Sequence, residues 1–427
     1  MNHKRKIAIA LALLVSLTVF SAVPASVQAG RPSTSGAEWT IMVYMDGDNN
    51  LDPFSALDIE EMKAVGSTSK INILVLWDRY DAPAYLYKVN LNSLTTVTGM
   101  KVNGKDVNGQ EVYMADWHVL EAFVDFGKIK FPANHYMVVV WDHCDAYGLC
   151  CVDEHWDPTY VPSVERMTLA QVQDALAGFG RLDILAYDAC LAGMVEIAYE
   201  FSVMPAEKGL DLRYLVGTEG YVPDNGYPYN TILEKLNGKI DLGDPAVVAK
   251  LICDEYARAY STKGQYSGES NANLSAILIS ESDDAIPILA DLNAELRARL
   301  ALSYDYWHKL ISRARGDANL PWSENGWEQR VDIIMYLKSL AASTKDAAVK
   351  SLASAAAIEL TQSTYVANTQ SMASAGAYGL AVYFPVSYSC LGSSNAGWYV
   401  QEDYPIIFKF AGDAGWMSFL MSYWNMK

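Results

Sequence analysis

The feature that most constrains this chain is a series of near-continuous apolar runs that each stop abruptly at polar residues. Trp39–Met45, Ile71–Trp77, Tyr136–Trp141, Leu182–Tyr187 and Leu212–Gly217 are rich in β-branched and aromatic residues. Runs of this kind belong to strands buried on both faces, as in parallel sheets. Helices are expected between them, over about 53–65, 116–126 and 169–177, the last capped by Thr168. Tyr85–Leu94 alternates like a hairpin arm. This order predicts an α/β fold with a mostly parallel central sheet and helices on both faces. Residues 240–365 read as helix-dominated and Ala-rich, Gly379–Pro385 as a late strand, and a final helix begins near Trp416. The expected organisation is a core over 38–240 and a helix-rich C-terminal region over 241–427. A late strand within 365–390 is expected to join the core.

The first 29 residues read as a signal peptide. Lys4, Arg5 and Lys6 precede an uncharged run from Ile7 to Phe20, and Pro24 leads into Val27-Gln28-Ala29, a small-residue cleavage signature. The run is too short for a membrane-spanning helix, which needs about 20 residues. A retained N-terminal anchor is the alternative. A polar linker over 30–37 follows, and the mature chain is expected to be secreted, with no membrane association. Loss of those three positive charges takes the formal net charge from −18 to −21. So acidic a surface argues against nucleic acid, whose phosphates it would repel. The six cysteines include no Cys-x-x-Cys pair, so structural zinc is not expected.

Two residues stand out chemically. His143 and Cys190 each follow the C-terminal end of an apolar run, the edge where open parallel sheets collect reacting groups. Their 47-residue separation suits one strand–helix–strand excursion. A thiol needs a base or a positive field to become a thiolate, and His143 together with a helix starting directly after Cys190 would supply both. The plainer alternative is a buried structural cysteine and an unrelated histidine, both common near strand ends.

Trp141-Asp142-His143 and Asp188-Ala189-Cys190-Leu191-Ala192-Gly193-Met194 resemble the clostripain-like cysteine peptidases of the caspase-fold clan, which also holds gingipain and legumain. Met42–Met45 with Asp48–Leu51, Gly379–Pro385 and the tail from Phe410 to Tyr423 are similar to family segments too. The resemblance implies that Cys190 is the nucleophile and His143 the general acid–base. It implies that Asp188 forms the floor of an S1 pocket for Arg or Lys, with a helix N-cap as the alternative role. Glu219, past the next strand, would add charge to that pocket. The family places Gly after the catalytic His, its backbone N–H binding the oxyanion; here that position is Cys144, whose side chain would strain the loop if a positive φ were required. Cys144 could also pair with Cys150 or Cys151. Self-processing at a basic residue between His and Cys is expected at Arg166 rather than Arg181.

No cofactor is required by this reading. Calcium stays open because some relatives depend on it, yet Asp46–Asp52 fails as an EF-hand, with Leu51 at position six and Leu57 at position twelve, so no metal ligand is assigned. Protein or peptide substrates with a basic P1 residue are the expected partners. The competing reading is an inactive family member acting as an extracellular binding or surface protein, and a thiol redox role through Cys150-Cys151 or Cys190 is a third.

Overall fold

The structure, a computed structural model, describes residues 36–145, 150–155, 166–204, 206–238, 240–267, 272–281, 284–320, 329–368, 377–388 and 408–426. The expected signal peptide lies outside them, as does Cys390. The strands are β1 (Ala37–Gly47), β2 (Ile71–Arg79), β3 (Ala82–Asn90), β4 (Ser93–Thr96), the short pair β5 (Lys101–Val102) and β6 (Lys105–Asp106), β7 (Ala133–Trp141), β8 (Gly180–Asp188), β9 (Leu210–Gly217), β10 (Asn273–Leu278), β11 (Arg330–Asp332), β12 (Thr364–Asn368) and β13 (Ala381–Tyr383). The helices are α1 (Asp52–Val65), α2 (Trp117–Lys130), α3 (Leu169–Ala175), α4 (Val195–Ser202), α5 (Tyr229–Leu236), α6 (Pro245–Ala259), α7 (Ile286–Leu302), α8 (Tyr304–Asp317), α9 (Ile333–Ser343), α10 (Ala347–Ser363), α11 (Lys409–Asp413) and α12 (Trp416–Tyr423).

The apolar runs become the middle of one nine-stranded sheet, ordered β12-β10-β9-β8-β7-β1-β2-β3-β4. The five strands from β9 to β2 run parallel, and the hairpin β3–β4 on one side and β10 and β12 on the other are antiparallel. Successive side chains of a strand point to opposite faces, and here both faces are covered, which is why the runs do not alternate. Met42, Tyr44, Val138, Val140, Leu185 and Tyr187 join one core with α2, α3, α4 and the C-terminal helices. Ile41, Val43, Val139, Trp141, Ile184 and Ala186 join the other with α1, α5 and α6.

Residues beyond 240 are helix-rich, as expected, and also supply the sheet strands β10 and β12. The late strand differs from its expectation. Only Ala381–Tyr383 is extended, and it pairs with β11 in a separate small sheet, because β12 already occupies the place beside β10. Among the described residues no helix is long and apolar enough to cross a membrane.

Thr168 caps α3 as its sequence position indicates. Its hydroxyl accepts from the Gln171 N–H while Gln171 Oε1 accepts from the Thr168 N–H at 2.8 Å, a complete capping box. Thr168→Ala is expected to cost about 1 kcal/mol, read as a lower urea midpoint with an unchanged slope.

Candidate active site

The parallel register of β7 on β8 sets Trp141 opposite Asp188. His143 and Cys190 each lie two residues further on, so they leave neighbouring strand ends at the C-terminal edge of the sheet. The chain then departs from the sequence expectation. No helix begins at Cys190: Leu191 turns the backbone with φ 66°, and α4 starts only at Val195, after the N-cap Met194. The backbone groups of this turn are bonded elsewhere. Leu191 N–H donates to Gly220 O, Gly193 N–H to Thr218 O, and Ala381 N–H to Gly193 O, each at 2.8 Å. Gly193 is required by proximity, since a Cβ there would lie 2.8 Å from both Glu219 N and Thr218 C. The dipole of α4 therefore does not begin at the thiol. The Val222 N–H instead reaches Cys190 Sγ at 3.4 Å, a donor that favours the thiolate.

His143 is held from the turn after β1. Its Nε2 lies 2.9 Å from Asn50 Oδ1, an acceptor that places the proton on Nε2 and leaves the lone pair on Nδ1. Asn49 Nδ2 donates to Asp142 Oδ1 and to Val152 O, both at 2.7 Å, and Asp142 Oδ2 accepts from the Val152 N–H. Burial, then the positive charge of Arg166, lowers the His143 pKa below its usual 6.5, so the imidazole is neutral at neutral pH and can act as a base. Arg166 Nη1 is 3.4 Å from Asp145 Oδ2.

Cys144 is not among the residues with positive φ, so its side chain puts no strain on the loop. Cys144, Cys150 and Cys151 are buried free thiols, with no disulfide among them. Burial is the main force raising the Cys144 thiol, and contact with Cys150 does most to raise Cys151, so neither is a ready nucleophile.

Asp188 ends β8 and does not cap α4. Its Oδ2 accepts from the Tyr227 N–H at 3.0 Å and the Tyr229 hydroxyl at 2.9 Å, while Oδ1 has no partner among the described residues. Burial raises its pKa to about 7 against the lowering by those two donors, and Glu61 adds to the rise. Gly226 (φ 55°) packs against this carboxylate so closely that a Cβ would come within 2.9 Å of Oδ2. Asp58 accepts from Trp141 Nε1 at 2.7 Å, and burial first, then the charge of Asp188, hold its carboxyl well above the usual carboxylate range. Asp58, Glu61 and Asp224 also line a cavity of about 430 Å³.

Glu219 belongs to a different set. It accepts from Asn273 Nδ2 at 2.6 Å and lies beside Asp332 and Arg330, whereas the groups acting on Asp188 are Tyr227, Tyr229 and Glu61, and Asp188 in turn acts on Asp58. Sequence reading missed Asp58, Glu61, Tyr227 and Tyr229. The signal available was two acids one turn apart on α1 and the Tyr-Pro-Tyr triplet at 227–229, neither of which carries chemistry until folding brings it to Asp188.

The model of the clostripain family (Peptidase_C11) matches residues 43–424, and the chain belongs to that family. It is 26% identical to clostripain of Hathewaya histolytica over 275 residues, 53% of this chain and 51% of that protein, so it spans about half the length of that curated relative. A secreted C11 cysteine protease from Bacteroides thetaiotaomicron, solved with an irreversible peptide inhibitor, superposes with a TM-score of 0.61 at 18% identity, covering 89% of this chain and 99% of that one. An inactive zymogen C11 protease from Parabacteroides distasonis gives 0.59 at 16%, covering 90% and 99%. These two likenesses carry the caspase-like fold.

Because the space around Gly193 is bounded by backbone, Gly193→Ala should shift the turn that carries Cys190. We expect a loss of about 1–3 kcal/mol in stability and slower alkylation of Cys190 by iodoacetamide. An alkylation rate equal to wild type would show that this contact does not position the thiol.

Proposed function

We propose that the chain is a secreted cysteine endopeptidase that cleaves after Arg or Lys through Cys190 and His143. The observation that carries this reading is the register Trp141–Asp188, which sends the two residues off adjacent strand ends in a chain of the clostripain family. His143 Nδ1 takes the Cys190 proton, and the thiolate attacks the scissile carbonyl. The Cys144 backbone N–H is the candidate donor to the resulting oxyanion. The imidazolium protonates the leaving amine, and water activated by His143 then releases the acyl group. Asp188 supplies the S1 charge: a buried carboxylate with one unpartnered oxygen suits a guanidinium or ammonium through charge-assisted hydrogen bonds. Glu219, engaged with Asn273, supports the chain behind Gly193 instead. Self-processing is assigned to Arg166.

Cys190→Ala should abolish hydrolysis of Arg and Lys fluorogenic peptides, and turnover that survives it would remove the assigned nucleophile. No turnover by wild type, with Cys190 also inert to thiol probes, would favour the inactive, partner-binding reading suggested by Cys144.

Asp188 must be ionised to hold a basic P1 group, and its carboxyl is protonated below about 7. For Arg substrates kcat/KM should therefore rise as pH rises through about 7. Asp188→Asn should raise KM at least about tenfold and leave only the lower limb set by His143. A mutant profile superimposable on wild type would show that Asp188 does not read P1.

Arg166→Ala should leave the chain uncut between His143 and Cys190, as read by mass spectrometry and N-terminal sequencing. Cleavage at an unchanged position would move the site elsewhere.

A further inference from the structure

The chain leaves the sheet at Gly217, the end of β9, and residues 218–222 then run past the nucleophile without regular secondary structure. Their polar groups are taken up one by one. Thr218 O accepts from the Gly193 N–H and Gly220 O from the Leu191 N–H, each at 2.8 Å. Thr218 Oγ1 donates to Asn273 Oδ1 of β10 at 2.8 Å, and Glu219 O accepts from Arg330 Nε at 3.3 Å. The Val222 N–H, next in line, reaches Cys190 Sγ at 3.4 Å. Whatever holds 219–221 therefore also places the donor that meets the thiol.

Arg330 is remote in sequence and wholly buried. It belongs to β11, whose pairing sets it opposite Tyr383 of β13, and two residues on Asp332 caps α9 by accepting from the Met335 N–H at 2.8 Å. From this base the guanidinium straddles Gly220. Nε bonds the Glu219 carbonyl on one side, and Cζ lies 5.8 Å from the centre of the Tyr221 ring on the other. Burial first, then Asp332, push the Glu219 carboxyl up, and Arg330 is among the groups that pull it down. A cation buried this far is costly, and stability alone could be served by an apolar side chain of like volume. A planar fork that bonds a carbonyl and lies against a ring in one pose is a property of Arg that Lys lacks.

We propose that Arg330 is a positioning residue for the thiol, which by holding Glu219 and Tyr221 keeps the Val222 N–H on Cys190. The proposal rests on Cys190 being the nucleophile. Gly220, between the two held residues, has no side chain to anchor it, so without the guanidinium its peptide units are freer to turn. The Val222 N–H then leaves the sulfur, and the thiolate loses a donor that favours it. Asp188 takes no part, because its donors are the Tyr227 N–H and the Tyr229 hydroxyl.

The test is the pH profile of Cys190 alkylation by iodoacetamide in the full chain, read by mass spectrometry of the Cys190 peptide, beside kcat and KM for an Arg peptide. Arg330→Lys keeps the charge and loses the fork. Tyr221→Leu, at a residue that is 38% exposed, removes the ring without opening the core. In Arg330→Lys we expect the apparent thiol pKa to rise by about one unit, with alkylation on the acid limb about tenfold slower. The kcat should fall about tenfold while KM stays within about twofold. Tyr221→Leu should slow both reactions about threefold. A lower melting temperature in Arg330→Lys with wild-type alkylation and kcat would make Arg330 a structural cation only and overturn the proposal. Where that variant does not fold, an unchanged profile in Tyr221→Leu overturns it. A wild-type Cys190 inert to iodoacetamide would instead remove the nucleophile reading, and this proposal with it.

Discussion

The active-site edge depends on one pairing, the parallel register of β7 on β8. A slip of one residue would exchange every side chain between the two faces. Val138, Val140, Leu185 and Tyr187 would leave the core made with α2 to α4, and Val139, Trp141, Ile184 and Ala186 would leave the one made with α1, α5 and α6. Both cores hold the same register, so it is specified twice. The positions of His143, Cys190 and Asp188 then follow with little further instruction. Asp188 shares its face with Trp141, which is why Asp58 of α1, bonded to the Trp141 indole, becomes its electrostatic neighbour.

What the register leaves unset is the direction of the chain after Cys190. A helix starting at once would have satisfied the backbone locally. Here the turn residues bond instead to Thr218, Gly220 and Ala381, so β9 and the remote segment around β13 share in presenting the thiol. The C-terminal region is thus part of the site's frame, because it covers one sheet face, adds strands β10 and β12 and anchors Gly193. The left-handed Leu191 and the glycine that follows two residues later are the local cost of this arrangement.

This division explains what was legible in the sequence. The central strands, their parallel order, the capped helix at Thr168 and the positions just past strand ends were readable, because each depends on residue type and short-range period. The onset of α4 was not, since a Leu-Ala-Gly-Met segment suits a helix until the backbone of 217–220 and Ala381 competes for its groups. Gly379–Pro385 read as a sheet strand because nothing local shows that β12 already holds that edge. Cys144 looked like a source of strain in the oxyanion loop, and its φ is not in the left-handed region that would strain it. The acids hid best. Asp46 and Asp48 were weighed only as a contiguous loop, and the carboxylates they meet, Asp78, Glu111 and Asp153, come from elsewhere in the chain.

Acidity in this protein is therefore not only a property of its surface. Two sets of mostly buried carboxylates lie near the strand ends that carry His143 and Cys190, Asp58–Glu61–Asp188 in one and Asp46–Asp48–Asp78–Glu111–Asp153 in the other. Burying like charges together opposes folding, and both sets lie near the sheet edge where ligands are met. On the reading proposed, a substrate side chain neutralises the first set from outside the protein. Both sets sit close to the proposed dyad in the chain, because Asp188 stands two residues before Cys190 and Asp48 two residues before Asn50, which contacts His143. A basic side chain bound at Asp188 lowers the repulsion within the first set. The edge should accordingly be better ordered with a basic peptide bound than without one.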